Sequence, residues 1–362
     1  MRVADLDTPA LIVDVDVMER NLRRMADYTR QHALRLRPHT KTHKIPHIGR
    51  RQLHFGASGL AVAKVGEAEV MLETSTPDLL IEYPIIGRSK LERLIAVANH
   101  TRVSVAVDSV TAGAQLSEAA SAGGVEFGVL VEADVGFHRV GVSPAEVPKL
   151  ARQLTELQNL DFEGVSLFPG HIRRVDEDGM KQLDALGCVI GEILESLARE
   201  GLEANVVSGG NTPTAYYSHL VPGLNEIRSG TYVFNDRNTE ECGGCEIDDC
   251  AASVLVTVVS TAVPGQVIID GGSKAFAADP YQGSEPSFGH VLEAPEAHFT
   301  RMSEEHGFVN IERVKDRLTI GQRLRVIPNH ICPAVNLHEK LYAVRGEDVV
   351  DVWPVKGRGR LQ

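Results

Sequence analysis

Over roughly its first 245 residues the chain alternates short apolar, β-branched runs with longer amphipathic stretches. The runs fall at residues 10–15, 59–63, 79–83, 103–107, 127–132, 164–168 and 205–208, and helical spacing of apolar positions fills 18–33, 64–73, 89–98 and 180–200. Near-continuous apolar strands separated by helices predict a parallel sheet covered on both faces, since each strand then buries both of its sides. The number of such units over this length predicts a closed TIM-type (β/α)8 barrel in preference to an open sheet. Past about Cys250 the rhythm changes to short strands at 254–260, 266–270, 323–327 and 341–344, with turn signals between them and little helical periodicity. That pattern predicts a C-terminal, mainly antiparallel β domain. The expected division is a barrel over 18–245 and a β domain over 246–362, joined by an N-terminal strand within 1–17.

Composition narrows the class. The 362 residues are 43% hydrophobic and 24% charged, enough for a large core. A net charge of -12 without a basic run argues against nucleic acid or an anionic membrane as partner. The opening MRVADLDTPALIVDVD is acidic where a signal peptide is basic, and no apolar run approaches the ~20 residues of a membrane span. A soluble, cytoplasmic protein is expected. Five cysteines, an odd number, do not suggest a secreted disulfide framework. Cys242 and Cys245 have the C-x2-C spacing of a zinc or redox pair, but only Cys250 follows, so a loop with incidental thiols leads over a metal knuckle.

Five places carry candidate chemistry. In Arg35-Leu-Arg37-Pro-His39-Thr-Lys41-Thr-His43-Lys44, an extended backbone would put Arg35, Arg37, His39, Lys41 and His43 on one face. Such a face is a poor core but suits an anionic ligand, and a lysine among cations has the lowered pKa that Schiff-base chemistry needs. The competing reading is an exposed basic edge strand. Ser208-Gly-Gly-Asn-Thr-Pro follows an apolar run, so its glycines could bring backbone amides to a phosphate with the Thr212 hydroxyl beside them, and Gly230-Thr231-Tyr232 could close the other side. Taken alone, a plain tight turn is the simpler reading. In Asn329-His330-Ile-Cys332, histidine and cysteine two apart would share one face of an extended chain, as two ligands of one ion do. A buried thiol beside a structural histidine is the alternative. His171, after the run at 164–168, would lie near the barrel mouth as a base or merely as a loop cap.

RPHTKTHK resembles the cofactor-lysine motif of the D-threonine aldolase and D-serine dehydratase family, which is similar to alanine racemase: fold-type III pyridoxal-phosphate enzymes with a barrel and a β domain. The resemblance continues in order through DTPALIVDVDVMERNL, GLAVAKVGEAEV, EADVGFHRVGV, SLFPGHI, SGGNTPT, EIRSGTYVFND, IDGGSKAF, SEEHG and PNHICPAVNL. It implies that Lys41 carries pyridoxal 5'-phosphate, with His39 on the same segment. Ser208, Gly209, Gly210, Asn211 and Thr212, with Gly230, Thr231 and Tyr232, would hold the phosphate. Arg139 would face the phenolic oxygen and Arg228 the ring nitrogen. His330 and Cys332 would hold a divalent metal, zinc or manganese, the cysteine leaning toward zinc. His171 would take the proton of the substrate's β-hydroxyl.

The resemblance implies a lyase on D-β-hydroxy-α-amino acids that gives glycine and an aldehyde, as D-threonine aldolase does. A D-serine or 3-hydroxy-D-aspartate dehydratase is the second reading, and a racemase, which would not explain the metal pair, the third. A non-catalytic pyridoxal-phosphate-binding protein is the alternative of another class, although such single-barrel proteins lack a β domain. A homodimer acting on a small D-amino acid is expected.

Overall fold

The computed structural model describes every residue from Met1 to Gln362. The strands are β1 Ala10–Asp14, β2 Arg35–Leu36, β3 Leu60–Val62, β4 Asp78–Ile81, β5 Arg102–Val107, β6 Phe127–Ala133, β7 Leu160–Leu167, β8 Val206–Gly209 and β9 Glu226–Ile227, followed by β10 Ala252–Ser260, β11 Gln266–Ile269, β12 Gly289–Val291, β13 His298–Met302, β14 Gly307–Asn310, β15 Arg323–Pro328, β16 Lys340–Arg345 and β17 Asp348–Pro354. The chain forms two compact units, one of residues 24–230 with the last four residues and one of residues 1–23 with 231–358.

In the first unit, β2 to β9 make an all-parallel eight-stranded sheet in the order β2-β9-β8-β7-β6-β5-β4-β3. A parallel bridge between His39, just past β2, and Ala61 of β3 joins its two ends into a barrel. The expected (β/α)8 barrel is therefore present. Its helices include Pro46–His54, Val65–Met71, Arg88–Ala98, Val110–Gly123, Val147–Thr155 and Glu177–Arg199. Alternation along each strand sorts the core. Leu79, Ile81, Val103, Val105, Val129 and Val131 pack outward with helix residues such as Leu94, Leu116 and Leu154. Ala61, Leu80, Leu130 and Val206 form a small separate cluster of buried side chains. Full burial of each such leucine or valine contributes about 1.5–3 kcal/mol. The rest of the interior is polar: Arg37, Glu132, Ser166, Ser208, Glu226 and Arg228 are all buried. The runs predicted at 59–63, 79–83, 103–107, 127–132, 164–168 and 205–208 coincide with β3 to β8. Of the lysine segment read as extended, only Arg35–Leu36 is strand, and β9 is equally short.

The second unit holds the other nine strands, in the order β13-β14-β11-β10-β1-β16-β17, with β15 pairing to both β10 and β12. All its pairings are antiparallel except β1 with β16. The apolar run at 10–15 thus belongs to this sheet as β1, between β10 and β16. The antiparallel β domain read from the sequence is present, with more strands than the four that the sequence showed.

Candidate active site

The lysine segment is not one extended face. After β2 the backbone runs on to His39 and then tightens into a 3-10 turn over Thr40–Thr42. His39 caps that turn, its Nδ1 accepting the Lys41 amide at 3.3 Å, and Thr40 Oγ1 donates to the Ala61 carbonyl at 3.1 Å. The His39 imidazole, by accepting the amide two residues on, offers the backbone a local alternative to the strand ladder, and the alternation stops here. The basic residues are consequently divided. Arg37 is buried, donating from Nε to Glu226 Oε1 at 3.0 Å and pairing with Asp78. Arg35 donates to the Asn205 carbonyl and to Asn225 Oδ1. His43 is fully buried, with Nε2 on Gln52 at 3.2 Å and Nδ1 accepting the Ile45 amide at 3.0 Å. Lys44, at a left-handed φ of 55°, pairs with buried Glu67 at 3.1 Å. Arg35, Arg37, His43 and Lys44 therefore have structural partners. His39 and Lys41 stand with Arg228 and Arg139: burial first, then the charges of Lys41, Arg228 and Arg139, push the His39 imidazole well below its ordinary pKa, so it is neutral.

Asn211 ties together the loops at the same end of the barrel. Its Nδ2 donates to the carbonyls of Pro169 and Ile172, 2.9 Å each. Its Oδ1 accepts the amide and hydroxyl of Thr214, and its carbonyl accepts Ser229 Oγ at 3.0 Å. The turn depends on Gly210, whose φ of +88° disfavours any other residue. Ser208 is the last inward side chain of β8, and its hydroxyl donates to Glu226 at 2.6 Å. Thr212 is buried beside Gly209 and Gly210. Gly230 follows Arg228 and Ser229, and a Cβ there would lie 2.7 Å from the His39 carbonyl oxygen, so only glycine lets these two segments approach.

Arg139 lies on the loop after β6. Its guanidinium sits 4.5 Å from the Phe168 ring centroid, and Phe168 meets Phe137 edge to face. His171, on the next loop, is exposed and packs over Gly136, where a Cβ would come within 3.3 Å of its ring. Burial pulls its pKa below the ordinary value, with Asp134 opposing and His138 reinforcing. Arg228 is buried; its Nη2 pairs with Glu82 at 2.8 Å and donates to the Leu167 carbonyl at 3.0 Å, while Nη1 has no hydrogen-bond partner. A buried guanidinium edge without an acceptor calls for one. With the glycine turn and Lys41 it fits a ligand that has a phosphate and an aromatic nitrogen, so the residues fit pyridoxal phosphate.

In the β unit, β15 ends at Pro328 and His330 caps the helix Ile331–Leu337. Cys332 lies inside that helix, not on an extended strand as the spacing suggested. A helix cap nonetheless brings the pair together, and the imidazole is hydrogen-bonded to the Cys332 thiol. Burial opposes protonation of His330, but Cys332, Asp236 and Asp279 outweigh it and hold its pKa up at about 10. Its Nδ1 bonds Asp279 Oδ2 at 2.5 Å. Thr231 Oγ1 lies 3.7 Å from Cys332 Sγ, and neighbouring Tyr232 is buried. Asp236 accepts the Ile331 amide at 3.0 Å. No group of three or more His, Cys, Asp or Glu side chains is gathered for an ion. The protein's share of an ion at this place would be two ligands, and the imidazole, thiol and adjoining carboxylates fit a borderline cation. Asp279 and Asp236 escaped sequence reasoning because no spacing links them to the H-x-C pair. Glu82 and Ser166 escaped it although both continue the inward alternation of their strands. All five cysteines are free.

A parallel barrel with a lysine turn, two arginines and a glycine turn at one end, followed by an antiparallel β unit, is the architecture of the alanine-racemase-like pyridoxal-phosphate enzymes. Residues 13–238 match the family of the alanine racemase N-terminal domain, and residues 251–344 match a putative serine dehydratase domain. The chain belongs to this family. It is 33% identical to a D-threonine aldolase of Arthrobacter sp over 99% of this chain and 94% of the relative. It is also 33% identical to a 3-hydroxy-D-aspartate aldolase of Paracoccus denitrificans (strain Pd 1222), with the same coverage of each chain. The crystal structure of D-threonine aldolase from Filomicrobium marinum superposes with a TM-score of 0.94 at 33% identity, covering 100% of this chain and 98% of that one.

Proposed function

We propose that this protein is a pyridoxal-phosphate-dependent lyase that cleaves D-β-hydroxy-α-amino acids to glycine and an aldehyde. The observation that carries the aldolase reading is His171. It is an exposed imidazole of lowered pKa, on the loop that Asn211 ties to the glycine turn. Bound pyridoxal phosphate supplies an electron sink for the charge left on the substrate's Cα. Lys41 holds the cofactor through its amine, and Arg139 and Arg228 orient it. His171, neutral at pH 7, takes the β-hydroxyl proton; the Cα–Cβ bond breaks, its electron pair goes to Cα, and the Cβ oxygen becomes a carbonyl. His330 and Cys332 would hold a divalent cation, zinc or manganese, which would supply Lewis acidity. The functional protein is a homodimer, to be checked by sedimentation.

A second reading, dehydration to a 2-oxo acid and ammonia, is favoured by the match of residues 251–344 to a serine dehydratase domain. The test is the product mixture from D-threonine and D-serine with added zinc or manganese. Glycine with acetaldehyde is the expected outcome. Ammonia with pyruvate or 2-oxobutyrate would replace the aldolase with the dehydratase.

A further inference from the structure

Three carboxyl and hydroxyl groups meet under Arg228 inside the barrel. Glu132 is the inward residue near the end of β6, and Ser166 is its register partner on β7. Ser166 is fully buried and Glu132 nearly so. Ser166 Oγ bonds Glu132 Oε2 and lies 3.1 Å from Glu82 Oε2. That same Glu82 oxygen pairs with Arg228 Nη2 at 2.8 Å.

A hydroxyl has one hydrogen. If both carboxylates were ionised, Ser166 could donate to only one of them. The other contact would set an anionic oxygen against an oxygen lone pair with little water to screen the repulsion. The arrangement closes if one carboxyl keeps its proton and donates it to Ser166, while Ser166 donates to the other. Glu82 has the arginine, so the proton belongs on Glu132. The surroundings agree. Burial and the Glu82 charge raise Glu132 to about 7, although Arg228, Ser166 and Arg139 pull the other way. On the remaining side β5 presents Ala106 and then Asp108, whose carboxylate accepts the Gly141 amide at 3.3 Å.

We propose that Glu132, Ser166 and Glu82 hold a single shared proton and that this proton sets the charge Arg228 presents to its ligand. With the proton in place, one carboxylate balances one guanidinium, and Nη1 is left as a strong donor toward an acceptor atom. When the proton leaves, a second buried anion stands beside the same guanidinium and weakens its attraction for that acceptor. Glu132 is thus a positioning residue that acts through Ser166 and Glu82. The identity of the ligand rests on the cofactor reading above; the proton itself does not.

The experiment is an infrared titration of the full-length chain, with and without pyridoxal phosphate, together with the pH dependence of pyridoxal-phosphate affinity. The unmodified protein should show the carbonyl band of a buried carboxylic acid that disappears with a midpoint near pH 7. Glu132→Gln, whose amide still donates to Ser166, should lack the band. Glu82→Gln should keep it but move the midpoint to lower pH, because the repelling charge is gone. Affinity for pyridoxal phosphate should fall roughly tenfold or more through that midpoint, the effect of one unit charge at short range in a medium of effective dielectric ~20. In Glu132→Gln that step should vanish. Absence of the band, or a band that survives Glu132→Gln, overturns the shared proton. A band that titrates as stated, with an affinity step unchanged in Glu132→Gln, overturns the control of Arg228. If neither protein binds pyridoxal phosphate, the cofactor reading falls while the infrared titration still decides the proton.

Discussion

The two residues that sequence and geometry bring forward for chemistry, Lys41 and His171, should be separable by experiment. Borohydride reduction of the protein loaded with pyridoxal phosphate should label the peptide with Lys41. Lys44 should stay unlabelled, since its amine is paired with Glu67 inside the barrel wall. A label on Lys44 would sink the assignment. His171→Gln should lower kcat by about 10²–10⁴, the usual contribution of a general base, with the cofactor's absorbance unchanged. Because its pKa is lowered, the neutral base persists below pH 7, and turnover should fall only as pH drops through that lowered value. A His171→Gln variant with the full rate would remove this residue from the chemistry. The H-x-C pair makes a separate prediction. A chelator should abolish turnover and leave the cofactor spectrum, and Cys332→Ala should behave likewise. Cys242→Ala, a buried thiol beside Gln282, should not.

At the scale of elements, the site depends on how closely the end of β9 approaches the lysine turn. The closeness is set by Gly230, because a methyl group there would press on the His39 carbonyl at 2.7 Å and on Thr42 Oγ1 at 3.0 Å. The His39 carbonyl is backbone, so relief requires the two segments to separate. Gly230→Ala should therefore cost about 1–3 kcal/mol of stability by overpacking. It should also weaken pyridoxal-phosphate binding more than it lowers the urea midpoint. Equal binding by the variant and the unmodified protein would show that the approach is structural only. Short elements of this kind were hard to read. β2 and β9 have two residues each, and the turn over Thr40–Thr42 interrupts what looked like continuous alternation. The longer β5, β6 and β7 were legible because both their faces are apolar or alternate over six residues or more.

The barrel as a whole carries a buried acid that titrates near neutrality, and this should appear in its stability. Burial and the Glu82 charge keep Glu132 protonated to about pH 7 in the folded chain, whereas an ordinary glutamate loses its proton near 4.5. Between those values the folded state binds more protons than the unfolded state, so this group's contribution falls as pH rises through the window. It is fully present below the unfolded value and lost above the folded one. The full effect is on the order of 3 kcal/mol. Glu132→Gln, which has no proton to lose, should gain on the unmodified protein by up to that amount as pH rises from about 4.5 to above 7, read from urea melts of both proteins over the same series. A constant difference between the two at all pH values would place the proton elsewhere.

Hydrophobic patterning by itself determined the class of fold, because burial on two faces forces near-continuous apolar strands and a barrel repeats them. Ordered motifs along the chain determined the family, and with it the cofactor lysine and the H-x-C pair as candidates. Only the tertiary structure decided which polar groups are already engaged. Arg37, Ser208 and Lys44 look available in sequence, yet the barrel gives them Glu226, Asp78 and Glu67 as partners. Likewise Glu82, Ser166 and Arg228 are distant along the chain, as Asp279 is from His330, and meet only when strands or loops pair. The state of a buried ionisable group depends on such neighbours and on the loss of water around it. Neither is a property of sequence spacing.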